Sequence, residues 1–119
     1  MKIILTLLVI LQFTSTAHSK EKLMKHNLME EIQLNPETKT VKVLSNPSFK
    51  LIGLGFKKGQ VLEKHLTPTP AILIVQMGSV DFNMSGKTHP LKAGDYFEIP
   101  ANTEHEVVGK EDSHLYLIK

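Results

Sequence analysis

Histidine and carboxylate are the side chains through which this chain could do chemistry. It holds six histidines and no cysteine. A thiolate metal site, a cysteine nucleophile and a disulfide framework are therefore excluded. Imidazole can act near neutral pH as a base, an acid or a metal ligand. Two stretches set it among carboxylates, Glu63-Lys64-His65 and Glu104-His105-Glu106. Side chains alternate between the two faces of a strand. Glu63 is then expected on the face of His65, while Glu104 turns away from the face of His105. Glu104-His105-Glu106 accordingly reads as a solvated strand edge with His105 facing inward, not as an acid–base unit. His26, His89 and His114 read as surface histidines. His89, just past a hairpin, is kept as a candidate ligand, as is Glu63.

The elements that must position these residues are short strands. Thr40-Val41-Lys42-Val43-Leu44 alternates and ends at the turn signal Ser45-Asn46-Pro47. Phe49 to Phe56 forms a second run, with Gly53 and Gly55 where side chains must be small or the backbone bends. Lys57 to Gln60 is a turn, and Val61 to Thr67 a short strand before Pro68-Thr69-Pro70. Ala71 to Met77 is apolar at every position but Gln76, as expected of a central strand. Gln76, opposite in parity to Ala71, is expected to face outward. Ser79 to Met84 alternates up to the tight hairpin Ser85-Gly86-Lys87. Leu91 runs into a turn at Ala93-Gly94-Asp95. Tyr96 to Ile99 stops at Pro100, and Glu104 to Val108 and His114 to Ile118 complete about nine strands. Phe82, Met84, Tyr96 and Phe97 read as core or subunit-contact residues. Such a series predicts a sandwich or barrel.

The rest of the chain bounds the setting. Its 119 residues allow one domain. An apolar content of 41% with 22% charged residues excludes a disordered chain and a multi-span membrane protein. The net charge of +2 rests on lysine alone. Without arginine the chain lacks the bidentate grip on phosphate, so no nucleic-acid partner is expected. Met1-Lys2, the apolar run Ile3 to Phe13 and the triplet Ala17-His18-Ser19 have the layout of a secretory signal peptide. Residues 1–19 are expected to be removed, leaving an arm over 20–38 and a barrel over 39–119. No stable membrane span is expected to remain. Export to the periplasm or the extracellular space follows from the same reading. Leu23, Leu28 and Ile32 give the arm an apolar side, through which a short helix or a pairing strand could support a homodimer.

Two segments resemble the paired signatures of the cupin superfamily. Its first motif runs Gly, five residues, His-x-His, three or four residues, Glu, six residues, Gly. Gly59, His65 and Gly78 fit the spacing, with Thr67 at the second His position and Ala71 at the Glu position. Its second motif runs Gly, five residues, Pro-x-Gly, two residues, His, three residues, Asn. Gly94, Pro100 and His105 fit, with Asn102 in place of the second Gly and Gly109 in place of the final Asn. The resemblance implies an all-β, cupin-type antiparallel barrel, also described as a jelly roll or double-stranded β-helix. It also implies one metal in the barrel, held by three His and one Glu. Carried across, it retains His65 and His105 as metal ligands and loses the other two.

Two imidazoles make a poor divalent site. Catalytic zinc keeps three protein ligands, and non-haem iron two His with a carboxylate. The expectation is therefore a small-molecule-binding barrel with a degenerate metal site, its pocket formed by His65, Thr67, Ala71 and His105. The competing expectation is a metal-dependent dioxygenase or isomerase. In that case one Fe, Mn, Ni or Zn ion would sit on His65 and His105, with Glu63 or His89 completing the shell. No catalytic residue is assigned, and the sequence inclines against an enzyme.

Overall fold

The computed structural model describes residues 25–45 and 48–119. The expected signal peptide lies outside the described residues. One helical turn, α1 (Leu28–Glu31), precedes nine strands: β1 (Thr40–Ser45), β2 (Leu51–Phe56), β3 (Val61–His65), β4 (Ala71–Met77), β5 (Ser79–Met84), β6 (Lys87–Lys92), β7 (Tyr96–Ile99), β8 (His105–Gly109) and β9 (Ser113–Ile118). They form two antiparallel sheets, in the orders β1-β2-β9-β4-β7 and β3-β8-β5-β6. The fold is all-β, as the alternating pattern predicts, and is the cupin-type barrel that the resemblance implies; β4 takes an internal place in its sheet.

The two sheets pack face to face over one core. Ile52, Leu54 and Phe56 of β2, Leu73 and Val75 of β4 and Leu115 of β9 meet Val80 and Phe82 of β5 and Val107 of β8. All are buried, and Phe56, Phe82, Val75 and Leu115 are completely inaccessible. Each such large side chain stabilises the fold by roughly 1.5–3 kcal/mol. These buried side chains occupy the space between the two sheets.

Two turns show how local sequence sets register. Ser85 and Gly86 both take positive φ, 53° and 72°. This is the two-residue hairpin whose twist matches the strands it joins. It pairs Met84 with Lys87 and Phe82 with His89. Asn102 also takes a positive φ, 57°. Asparagine tolerates the left-handed region, which explains how it stands at a glycine position of the motif. Its backbone N–H donates to the Thr67 carbonyl at 2.7 Å, tying the loop after β3 to the loop before β8.

Over its described residues, 25–38, the arm packs against the barrel. Asn27 caps α1, its side chain accepting from the Met29 and Glu30 N–H groups. Ile32, 1% exposed, then lies on the outer face of β2. A Cβ at Gly53 would collide with Ile32, and one at Gly55 would press on Leu34 at 2.8 Å. The two glycines make the groove that seats the arm. His114 Nε2 donates to the Ile32 carbonyl at 2.8 Å, Thr40 Oγ1 to the Gln33 carbonyl at 2.7 Å, and Lys42 pairs with Glu31. Of the two forms open to the arm, its described part takes the short helix, as the turn Leu28–Glu31, and folds back on its own sheet. His114, read as a surface histidine, is buried beneath it.

Candidate site at the barrel mouth

The inner face of the β3-β8-β5-β6 sheet is built of cross-strand rows. Leu62, Val107, Phe82 and His89 form one, in register across the four strands. The next row toward the mouth is His65, His105, Met84 and Lys87. Between Leu62 and His65 the register of β3 shifts, so that two residues oppose one on β8. This is a β-bulge. It brings Leu62 and His65 onto the same inner face and reverses the parity that simple alternation assigns to Glu63. Glu63 instead faces outward, its side chain 76% exposed and 3.2 Å from Lys39 Nζ. Its carboxyl is held below the usual range by a hydrogen bond from its own backbone N–H and by Lys39. The expectation that Glu63 shares the interior with His65 is therefore corrected.

His65 and His105 meet as a pair, ring centroids 4.4 Å apart and planes inclined at 60°. Each Nδ1 faces the carbonyl two residues earlier: His65 that of Glu63 at 2.9 Å, His105 that of Thr103 at 2.9 Å. A carbonyl only accepts, so Nδ1 must carry the proton. The neutral ring then presents its lone pair on Nε2. The same local hydrogen bond thus sets the same tautomer in both rings. Burial lowers the pKa of His105, the Thr103 carbonyl opposes that shift, and the charges of His65 and Lys119 add to it.

The floor beneath the pair is aromatic. Phe82 stacks on His105 with centroids 5.5 Å apart and planes at 25°. Phe97 lies 4.5 Å from Phe82. His89 faces the interior rather than the surface, 4.9 Å from Phe97 and 6.4 Å from Phe82. It stands one row deeper than His105 and two strands away, so it does not join the pair. A concavity of about 390 Å³ reaches His105 and Met84 beside the β5–β6 hairpin. Lys64, Asn83, Glu104 and Glu106 give it a polar rim, and Asn83 Nδ2 donates to Glu106 Oε1 at 2.8 Å.

The other motif positions carry no ligand to this point. Thr67 lies beyond the end of β3 and turns its hydroxyl to the Thr69 carbonyl at 3.0 Å. Ala71 is buried and adds a methyl group to the core. Glu104 is exposed, as its parity predicts. Among the described residues, no three His, Cys, Asp or Glu side chains gather where one ion could be held.

Residues 54–118 match the family model described as Cupin domain. The chain belongs to the cupin family. Several solved structures share this cupin's fold. An RmlC-like cupin protein from Desulfovibrio desulfuricans is 23% identical, with a TM-score of 0.72 over 79% of this chain and 92% of that one. KdgF from Halomonas sp. is 25% identical, with a TM-score of 0.64 over 71% of this chain and 80% of its own. A cupin 2 conserved barrel domain protein from Leptotrichia buccalis is 28% identical at a TM-score of 0.71, covering 78% of this chain and 46% of that one. No curated protein matches this cupin.

The divalent ion implied by the resemblance does not fit the residues present. Its site needs a third imidazole and a carboxylate, and this cupin offers Thr67, Ala71 and an outward Glu63 instead. Met84 and Phe82 line the site without having been singled out for it. The two-residue hairpin could have placed Met84 on the inner face, but its adjacency to His105 depends on the non-local pairing of β5 with β8.

Proposed function

We propose that this cupin is an exported binding barrel that holds a small ligand at its mouth through Nε2 of His65 and His105. The observation that carries this reading is the pair of Nδ1-to-carbonyl hydrogen bonds, which leaves two neighbouring nitrogen lone pairs free above an apolar floor. Such a pair accepts two hydrogen bonds, or donates two electron pairs. With two imidazoles and neither a third ring nor a carboxylate, it offers a divalent ion fewer ligands than a catalytic metal site keeps. Beside the pair, Phe82 and Phe97 offer an apolar surface.

The test is a thermal-shift screen of the untagged protein against polyhydroxylated small molecules and against Fe(II), Mn(II), Ni(II) and Zn(II). Ligands that raise the melting temperature of the wild type but not of His65→Ala or His105→Ala support the reading. One divalent ion retained through desalting, and lost in both variants, would replace it with the metal-dependent enzyme. Self-association belongs to the same proposal. Tyr96, Ile72 and Ile118 lie uncovered on the outer face of the five-stranded sheet, Tyr96 66% exposed, and light scattering is expected to give a dimer mass.

A further inference from the structure

We infer that the row His65, His105 and Met84 is a site for monovalent copper. The inference rests on the binding-barrel reading and names an occupant for its two free nitrogens. His105 stands between the other two residues, with His65 opposite on β3 and Met84 opposite on β5. All three lie in one cross-strand row on the inner face of the sheet, where directly opposite residues have Cβ atoms about 5 Å apart. Met84 is half-buried and packs against the core cluster. The fourth residue of the row, Lys87, is exposed, and an ammonium group has no lone pair to offer.

The donor set is two imidazole nitrogens and one thioether sulfur, all neutral. Thioether is a soft ligand and selects Cu(I), while imidazole accepts copper readily. The ions of the wider family favour carboxylate, imidazole and water in larger number. The surroundings discriminate in the same direction. Transferring an ion from water to an apolar site costs free energy that rises steeply with its charge. No carboxylate belongs to the row, Glu104 and Glu106 lying on the rim, and Leu62, Val107 and Phe82 form the row beneath. A singly charged ion that tolerates two or three ligands meets these conditions. A doubly charged ion does not.

The untagged protein is titrated anaerobically with Cu(I) in competition with bicinchoninate, a coloured Cu(I) chelator. Wild type is expected to take one equivalent from the chelator. Met84→Leu keeps the side-chain bulk and is expected to bind roughly tenfold or more weakly, and His65→Ala and His105→Ala to lose the ion. X-ray absorption of the copper-loaded wild type is expected to show a sulfur neighbour that Met84→Leu lacks. Equal competition by wild type and Met84→Leu, or a copper shell without sulfur, would overturn the assignment. So would failure to take copper. If copper fails while hydroxylated ligands still bind through the two histidines, the copper site falls and the binding barrel stands. If neither binds, both fall.

Discussion

His65 and His105 are two copies of one local device, set opposite each other across β3 and β8. Each ring is turned by the carbonyl two residues before it, at 2.9 Å in both cases, and the rings stand 4.4 Å apart. The device is cheap in sequence terms, since any backbone supplies the carbonyl. What makes a pair of it is the bulge in β3, which sets His65 on the inner face directly opposite His105.

Acid should weaken the fold through His105. Its pKa lies below the ordinary value of 6.5, chiefly because burial disfavours the charged ring. A histidine depressed in the folded state takes up its proton first in the unfolded chain. Its stabilising contribution is complete above the unfolded value and is lost as pH falls through the folded one. Calorimetry is expected to show the melting temperature falling between about pH 7 and pH 5. His105→Gln should fall less steeply, and an identical slope in the variant would remove His105 as the cause.

The arm and β2 should prove energetically coupled. Ile32→Ala empties a buried site and is expected to cost about 2–5 kcal/mol in urea denaturation. Gly53→Ala is expected to destabilise by forcing Ile32 aside. In the double variant the collision is gone, so its loss should be smaller than the two single losses added. Simple additivity would mean that the arm does not seat in the groove.

Asn102 offers a test of the loop that ties the two motif segments together. Its φ of 57° suits Asn or Gly. Asn102→Gly is expected to change stability by a few tenths of a kcal/mol, and Asn102→Val to cost roughly 1–2 kcal/mol or more, since a β-branched residue is strained there. Equal stability of the two variants in urea would contradict the backbone assignment.

Export is checked chemically. N-terminal sequencing of the protein recovered outside the cytoplasm of its host is expected to begin at Lys20. A product retained in the cytoplasm and beginning at Met1 would contradict the signal-peptide reading.

Much of the architecture was legible from alternation and turn chemistry. Pro100 marks the end of β7, Ser85-Gly86 fixes the β5–β6 register, and β4 takes an internal position. The site was legible only in part. His65 and His105 could be paired through motif spacing, but Glu63 was misplaced because a bulge leaves no mark on the residue pattern around Leu62 and His65. His114 was misread for a related reason. Its parity places it on the outer face of β9, and only the return of the arm over Gly53 and Gly55 buries it. Both errors come from contacts between segments far apart in the chain, which strand periodicity does not encode.

The central claim is that two imidazoles present free Nε2 atoms side by side. Long-range ¹H–¹⁵N correlation spectra of the ligand-free protein near neutral pH read this directly, since protonated and lone-pair ring nitrogens differ widely in shift. His65 and His105, assigned through His65→Gln and His105→Gln, are expected to show protonated Nδ1 and unprotonated Nε2. Protonated Nε2 with a bare Nδ1 in either ring would contradict the account, because the carbonyls of Glu63 and Thr103 could not then hold the pair as described.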